Sequence, residues 1–169
     1  MQSSNITDMR LSIAVADLDE TMRVYREVLG FKAEVSFGVM VDRMPVSARD
    51  PATQMLTGLQ DPRVRRRRVL APGSTLWIEF VEYKAVGETP LRMRIQDRGA
   101  ARLQLRAQNV DALVADMKRA GLTVISEGGV AVPIPPDFKG ALVADPNNFF
   151  LTPFAPCDGC TSRVPAPAR

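Results

Sequence analysis

The sequence contains no histidine. That removes the commonest metal ligand and the commonest general base near neutral pH. Cysteine is almost as scarce: Cys157 and Cys160 stand alone, spaced C-x-x-C in the tail APCDGCTSRVPAPAR. A lone C-x-x-C is half of a zinc site, or a redox pair when it caps a helix of a thioredoxin-like unit, and neither context surrounds it here. The Pro, Ala and Ser of that tail predict disorder over 156–169. No apolar run approaches the length needed to cross a bilayer, so no membrane association is expected. The N-terminal MQSSNITDMR has no basic stretch followed by an apolar one, so the expectation is a cytoplasmic protein. The glycosylation-like Asn5-Ile6-Thr7 carries little weight without such a leader.

What is present is an ordinary globular composition: 169 residues, 46% hydrophobic and 24% charged. The formal net charge is +3, and much of the excess lies in RVRRRRVL, residues 63–70. A basic run can mark a nucleic-acid surface. No aromatic residue is interleaved with these arginines to make a stacking platform, so the expected reading is a strand whose arginines are solvated or salt-bridged on both faces, with no nucleic-acid partner.

Two stretches repeat. RLSIAVADLDETMRVYREVLGFKAEVS begins at Arg10 and RLQLRAQNVDALVADMKRAGLTVISE at Arg102, an offset of 92. The offset aligns Leu11 with Leu103, Ile13 with Leu105, Asp17 with Asn109 and Asp19 with Asp111; one gap near the helix end then pairs Gly30 with Gly121. In the first copy Leu11, Ile13 and Val15 alternate with Arg10, Ser12 and Ala14, which is strand periodicity. Asp17 reads as an N-cap with Glu20 completing a capping box; Leu18, Met22, Tyr25 and Leu29 follow at helical spacing, and Gly30 ends the helix. In the second copy Asn109 is the cap, Val110, Leu113, Val114 and Met117 the stripe, and Gly121 the stop. A strand follows each glycine, FKAEVS and LTVISE. Further strands are RRRRVLA and TLWIEFVEY, joined at Pro72-Gly73-Ser74, and GALVAD and FFLTPF, joined at Pro146-Asn147-Asn148.

The expected fold is therefore α+β: two tandem βαβββ modules. The first module covers 8–84 and carries an insertion at 37–62, where PATQMLTGL predicts a short helix that can cover a site. Residues 85–100 are the linker, 101–155 the second module and 156–169 the tail.

In TLWIEFVEYK, residues 75–84, Glu79 lies between apolar neighbours. A carboxylate there needs water, a partner charge or a ligand. Strand alternation sets Glu79 on one face with Trp77 and Val81. By the same rule Arg10, Ser12 and Ala14, then Arg102, Gln104 and Arg106, then Phe150, Thr152 and Phe154 each share a face. Ser12 has no evident base partner, and Tyr25 and Met22 lie on the core stripe. Asp145, in ADPNN, reads as turn chemistry.

The doubled unit, with VADLDETMRVYREVLGF, LWIEFVE and ADPNNFFLTPF, resembles the vicinal oxygen chelate superfamily over most of residues 8–155. That group holds glyoxalase I, bleomycin-resistance proteins, extradiol dioxygenases, methylmalonyl-CoA epimerase and fosfomycin-resistance enzymes. The resemblance implies that the two modules form a curved mixed sheet around a central, U-shaped cavity with four metal-ligand positions, which fall here on Arg10, Glu79, Arg102 and Thr152. Only Glu79 keeps a ligand type, and guanidiniums repel a cation and stay protonated, so no metal and no cofactor are expected. Glu79 is expected to pair with Arg10 and Arg102 where the ion would sit. The surplus positive charge, with Trp77, Phe150 and Phe154 as apolar walls and Ser12, Gln104, Arg106 and Thr152 as polar contacts, implies a site for a small anionic or carbonyl-bearing molecule. Three activities stay open: metal-free ligand binding; a metal-independent lyase or isomerase with Glu79 shuttling a proton; and a metal-dependent glyoxalase or dioxygenase with atypical ligands. A carboxylate held by two arginines is a weak base. The resemblance also allows a homodimer.

Overall fold

In the computed structural model, which describes residues 9–36, 39–40, 51–60, 62–84 and 92–157, the chain divides into two units between residues 89 and 90. The first contains β1 (Arg10–Val15), α1 (Leu18–Arg23) running directly into a π-helical turn (Val24–Val28), β2 (Lys32–Ala33), β3 (Val35–Ser36), β4 (Val39–Met40), α2 (Pro51–Thr57), β5 (Arg63–Leu70) and β6 (Trp77–Lys84). Its main sheet has the order β1-β6-β5-β2, with β1 parallel to β6 and the other pairs antiparallel. The short β3–β4 pair is separate.

The second unit contains β7 (Arg102–Arg106), α3 (Val110–Arg119), β8 (Thr123–Val124), a 3-10 turn (Glu127–Gly129), β9 (Val132–Ile134), β10 (Phe138–Gly140), β11 (Val143–Ala144) and β12 (Phe150–Pro156). Its strands run β8-β11-β12-β10-β9, and β7 lies parallel against β12. The class is α+β with mixed sheets.

Local chemistry explains both helix starts. The Asp17 carboxylate accepts from the Glu20 amide (2.9 Å), and the Asn109 side chain accepts from the Ala112 amide (3.0 Å). The capping box expected at Glu20 does not close. Its carboxylate instead takes Arg23 Nε (3.1 Å) and Nη2 (2.7 Å), a charged partner one turn along the same helix. Gly30 and Gly121 adopt φ of +71° and +93°, the left-handed conformation that ends a helix with little strain only in glycine.

Each helix buries its apolar stripe on one face of its own sheet. In the first unit Leu18, Val24 and Tyr25 are fully buried over Ile78, Phe80 and Val69. The Tyr25 ring packs against Phe31 and Phe80, with centroids 5.4 and 4.5 Å away. In the second, Val110, Val114 and Met117 are buried together with Val143 and Leu151. Gly140 is fixed by close approach: a methyl there would meet Ile134 Cδ1 at 2.8 Å and the Pro153 carbonyl at 2.9 Å.

Two stretches differ from the sequence expectation. FKAEVS is not one strand: β2 and β3 are separated at Glu34, whose amide donates to the Arg68 carbonyl (2.9 Å). Strands β9 and β10 form from VPI and FKG, which are too short and Pro/Gly-rich to show alternation. Of the 37–62 insertion, 85–100 linker and 156–169 tail, residues 37–38, 41–50, 61, 85–91 and 158–169 lie outside the described residues, as does Asn5-Ile6-Thr7. Cys157 is disulfide-bonded, and the sequence's other cysteine, Cys160, is outside the described residues; the sequence reading gave these cysteines no structural role. The Cys157 amide donates to the Asp137 carbonyl (2.8 Å), which anchors the end of β12. Among the described residues no helix is long and apolar enough to cross a membrane.

Candidate functional site

The face of the first sheet opposite α1 carries the candidate residues. Parallel pairing puts Arg10 beside Trp77, Ser12 beside Glu79 and Ala14 beside Val81, with Ile13 and Val15 buried on the reverse side. This is the alternation read from the sequence. The antiparallel β5–β6 register then adds residues that were not assigned to the face: Arg68 lies opposite Glu79, Arg66 opposite Val81 and Leu70 opposite Trp77.

These neighbours settle what holds Glu79. Arg68 Nε donates to Glu79 Oε1 at 2.9 Å, and Arg66 Nε lies 4.0 Å from Oε2. Arg68 also faces the Glu34 carboxylate at 3.6 Å. The hydrogen bond to Glu79, partly opposed by burial, raises the Arg68 pKa above its ordinary value. Within the first unit the expected partner Arg10 is corrected: on β1 it lies opposite Trp77, two positions along from Glu79, whereas Arg68 lies directly opposite Glu79 on β5. The register was accessible from the sequence: a tight connection centred on Pro72-Gly73-Ser74 pairs positions whose numbers sum to a constant, which matches Arg68 to Glu79.

The insertion also reaches this face. Arg66 Nη2 donates to the Thr53 hydroxyl on α2. Thr53 is the buried residue of α2, while Met55 and Leu56 are 81% and 86% exposed. The expected short helix exists, and the Arg66–Thr53 hydrogen bond ties it to the face of Glu79.

The arginines on the reverse side of β5 meet the bland expectation for a basic strand. Arg65 bridges Asp19 (2.7 Å to both carboxylate oxygens) and the buried Glu82 (2.9 Å), which Lys84 also contacts. The Arg65 hydrogen bond draws the Asp19 carboxyl below the usual carboxylate range. Arg67, 8% exposed, donates to the Arg66 carbonyl (2.9 Å). Asp19, Met22, Arg23, Arg26, Glu27 and Arg67 line an open cleft of about 230 Å³ on this side.

The second unit presents a comparable face. Strand β12 sets Phe150, Thr152 and Phe154 beside Arg102, Gln104 and Arg106 of β7, while Leu151, Pro153 and Ala155 are buried on the reverse side. Phe154 contacts Phe138 edge to face, with centroids 6.0 Å apart. Arg102, Gln104 and Arg106 are exposed, and their side chains form no hydrogen bond or ion pair among the described residues. Thr152 Oγ1 is the one buried side-chain nitrogen or oxygen among the described residues without a hydrogen-bond partner. Asp145 is turn chemistry, as read: it is buried and accepts from the amides of Asn147 and Phe149 (2.9 Å each).

These donors do not fit a resident divalent cation. Of the four carried-over positions, two are guanidiniums and one is a hydroxyl. The remaining carboxylate is already engaged by Arg68. Among the described residues no three His, Cys, Asp or Glu side chains cluster for a metal.

A family model described as the Glyoxalase/Bleomycin resistance protein/Dioxygenase superfamily matches residues 9–146. Solved structures of similar fold include a glyoxalase family protein from Bacillus cereus, 14% identical, TM-score 0.74, covering 94% of this chain and 99% of that one. The antibiotic-binding protein TnmS3 from Streptomyces sp. CB03234 is 18% identical, TM-score 0.53, covering 91% and 99%. A variant of the fosfomycin resistance protein FosX from Listeria monocytogenes, complexed with Mn(II) and 1S,2S-dihydroxypropylphosphonic acid, is 16% identical, TM-score 0.50, covering 89% and 93%. No curated protein matches the sequence.

Proposed function

We propose, from the premise that this chain belongs to the glyoxalase/bleomycin resistance protein/dioxygenase superfamily, that it binds a small anionic or carbonyl-bearing organic molecule without a resident metal. The observation that carries this reading is Thr152 Oγ1. A buried hydroxyl without a protein partner costs stability unless another group completes it, and a bound ligand or a bound water is such a group. The side chains around it suit that class of ligand. Arg102 and Arg106 offer charge-assisted, fork-shaped hydrogen bonds to a carboxylate or phosphonate, Gln104 offers both a donor and an acceptor, and Phe150 and Phe154 offer apolar walls.

Metal independence rests on donor chemistry. A cation at the family position would have to strip Glu79 from Arg68 while facing further guanidiniums. The same engagement disfavours Glu79 as a proton shuttle, so binding is preferred to catalysis. Among proteins of this fold, TnmS3 binds an antibiotic and the FosX complex contains Mn(II). The fold thus includes an antibiotic binder and a Mn(II) complex, and the donor chemistry here supports the metal-free reading for this chain.

The test is a titration of the untagged protein with aromatic carboxylates, in EDTA, alongside elemental analysis of protein purified without chelator. The expected result is saturable binding that EDTA leaves unchanged, near-zero metal, and about 10-fold weaker binding in Arg102→Ala, equivalent to about 1.4 kcal/mol. Roughly one divalent ion per chain, or unchanged affinity in Arg102→Ala, would overturn the reading.

A further inference from the structure

The open face of the second unit is polar along β7 and apolar beyond it, and the apolar part is uneven. Phe150, opposite Arg102, is only 4% exposed, whereas Phe154, opposite Arg106, is half-buried. The strand register carries the face past Phe154. Gly140 of β10 lies opposite Phe154, and Phe138 opposite Pro156 and Ile134, so Phe138 and Ile134 share the face of Thr152. Lys139, between Phe138 and Gly140, points the other way and holds Asp111 of α3 (2.7 Å). Gly140 has no side chain, and Ile134 Cδ1 closes over the space beside it. Phe138 and Phe154 meet edge to face. Phe138 and Ile134 keep 37% and 38% of their surface exposed. Sequence reading assigned neither to the site, because VPI and FKG are too short to show alternation.

A polar cluster and an apolar patch thus stand a set distance apart. Thr152, with its orphaned buried hydroxyl, lies beside Gln104, and Arg102 and Arg106 flank Gln104 on the same strand. Phe154 is one two-residue step from Thr152 along β12. The level of Phe138 is two steps away, roughly 14 Å at about 3.4 Å per residue. A carboxylate on one benzene ring reaches Phe154 and stops short of Phe138; a second ring in line covers the rest. We propose that this face takes an elongated aryl oxyanion. The oxyanion sits at Thr152 and Gln104, within reach of both guanidiniums, and two ring lengths of body run onto Phe154, Phe138 and Ile134. Charge complementarity fixes the head, and the rise in apolar exposure from Phe150 to Phe138 fixes the direction. The body is aryl because an edge-to-face ring pair favours offset or T-shaped packing of a further ring. This inference rests on the ligand class proposed above and adds the length of the ligand and the subsite for its far ring.

The experiment titrates the full chain by calorimetry with three acids: benzoate, biphenyl-4-carboxylate and decanoate, the last an aliphatic acid of similar length to the second. Phe138→Ala removes the far-ring subsite. Backbone amide shifts at 138–140 in wild type report contact with β10 without any substitution.

Wild type should bind biphenyl-4-carboxylate about 10-fold tighter than benzoate, because the second ring buries further apolar surface. It should bind decanoate about 3-fold or more weakly than biphenyl-4-carboxylate, because the flexible chain loses more freedom. Phe138→Ala should weaken biphenyl-4-carboxylate about 10-fold and leave benzoate within about 2-fold. The 138–140 amides should shift with biphenyl-4-carboxylate and stay in place with benzoate. Equal affinity for the one-ring and two-ring acids would overturn the far-ring subsite and leave the ligand class itself standing. The same holds if Phe138→Ala weakens both acids alike, or if the 138–140 amides respond alike to both. Decanoate as tight as biphenyl-4-carboxylate would overturn the aryl assignment. If none of the three acids binds wild type, the ligand class fails and the subsite with it.

Discussion

The open faces of the two units share a strand pattern and differ in how their polar groups are satisfied. On the first, Glu34, Arg68, Glu79, Arg66 and Thr53 form a continuous chain of ion pairs and hydrogen bonds. On the second, Arg102, Gln104 and Arg106 extend into solvent beside a buried Thr152 hydroxyl that lacks a partner. A saturated set of charges stabilises its own sheet and is costly to disturb, whereas an unsaturated one contributes little to folding and is available to a ligand. Similar residue types therefore do different work on the two faces, and mutation can separate the roles.

The largest expected effect tests how rigidly the second face is built. Gly140→Ala should cost about 2–3 kcal/mol in urea denaturation, because the new methyl meets backbone as well as the Ile134 and Phe154 side chains. A cost under about 0.5 kcal/mol would mean that β9 and β10 yield, and that the second face is soft. Next comes the direct contrast. Arg68→Ala leaves Glu79 and Glu34 without their shared guanidinium and should cost about 1–2 kcal/mol, discounted for the 38% exposure of the Arg68 side chain. Arg102→Ala should change stability by less than about 0.5 kcal/mol while weakening ligand binding. Equal stability losses at the two positions would erase the distinction between the faces.

A smaller effect of opposite sign is expected at Thr152. Thr152→Val removes the orphaned hydroxyl and should raise stability by about 1 kcal/mol while weakening ligand affinity. Lower stability in this variant would mean that the hydroxyl is already satisfied. The smallest effect concerns acid. The Asp19 carboxyl is drawn below its ordinary value by Arg65, so its contribution is present above the usual carboxylate range and fades as pH falls through and below it. Because the side chain is 74% exposed, the contribution should be only a few tenths of a kcal/mol. Comparing the acid unfolding limbs of wild type and Asp19→Asn would measure it.

Local features were the most legible. The caps Asp17 and Asn109, the stops Gly30 and Gly121, and the alternation of Ile13, Val15, Ile78 and Phe80 depend on neighbours a few residues apart, and all appear as read. Within the first unit the partner of Glu79 was misread because Arg10 was chosen through the resemblance, while the register of the β5–β6 hairpin, which the turn fixes, points to Arg68. The unsatisfied state of Thr152 was not legible: satisfaction of a hydroxyl depends on every atom within about 3.5 Å, which no periodicity encodes. The Arg66–Thr53 contact joins a strand to an insertion across 13 positions, and its inverted helix polarity runs against the pattern that sequence reading looks for.

The π-helical turn after α1 has a consequence for how this chain tolerates length changes. Gly30 follows its cap Asp17 by one residue more than Gly121 follows Asn109, the single gap in the internal repeat. The extra residue is absorbed inside the helix, where Val24–Val28 widens so that the Leu29 amide reaches back five residues to the Val24 carbonyl (3.2 Å). Cap and terminal glycine keep their places, and the strands on either side are not displaced. A one-residue insertion or deletion in this helix is thus a change of pitch rather than a shift of frame. Removing one residue from 24–28 should restore ordinary α-helical winding and leave both ends of the helix docked where they are.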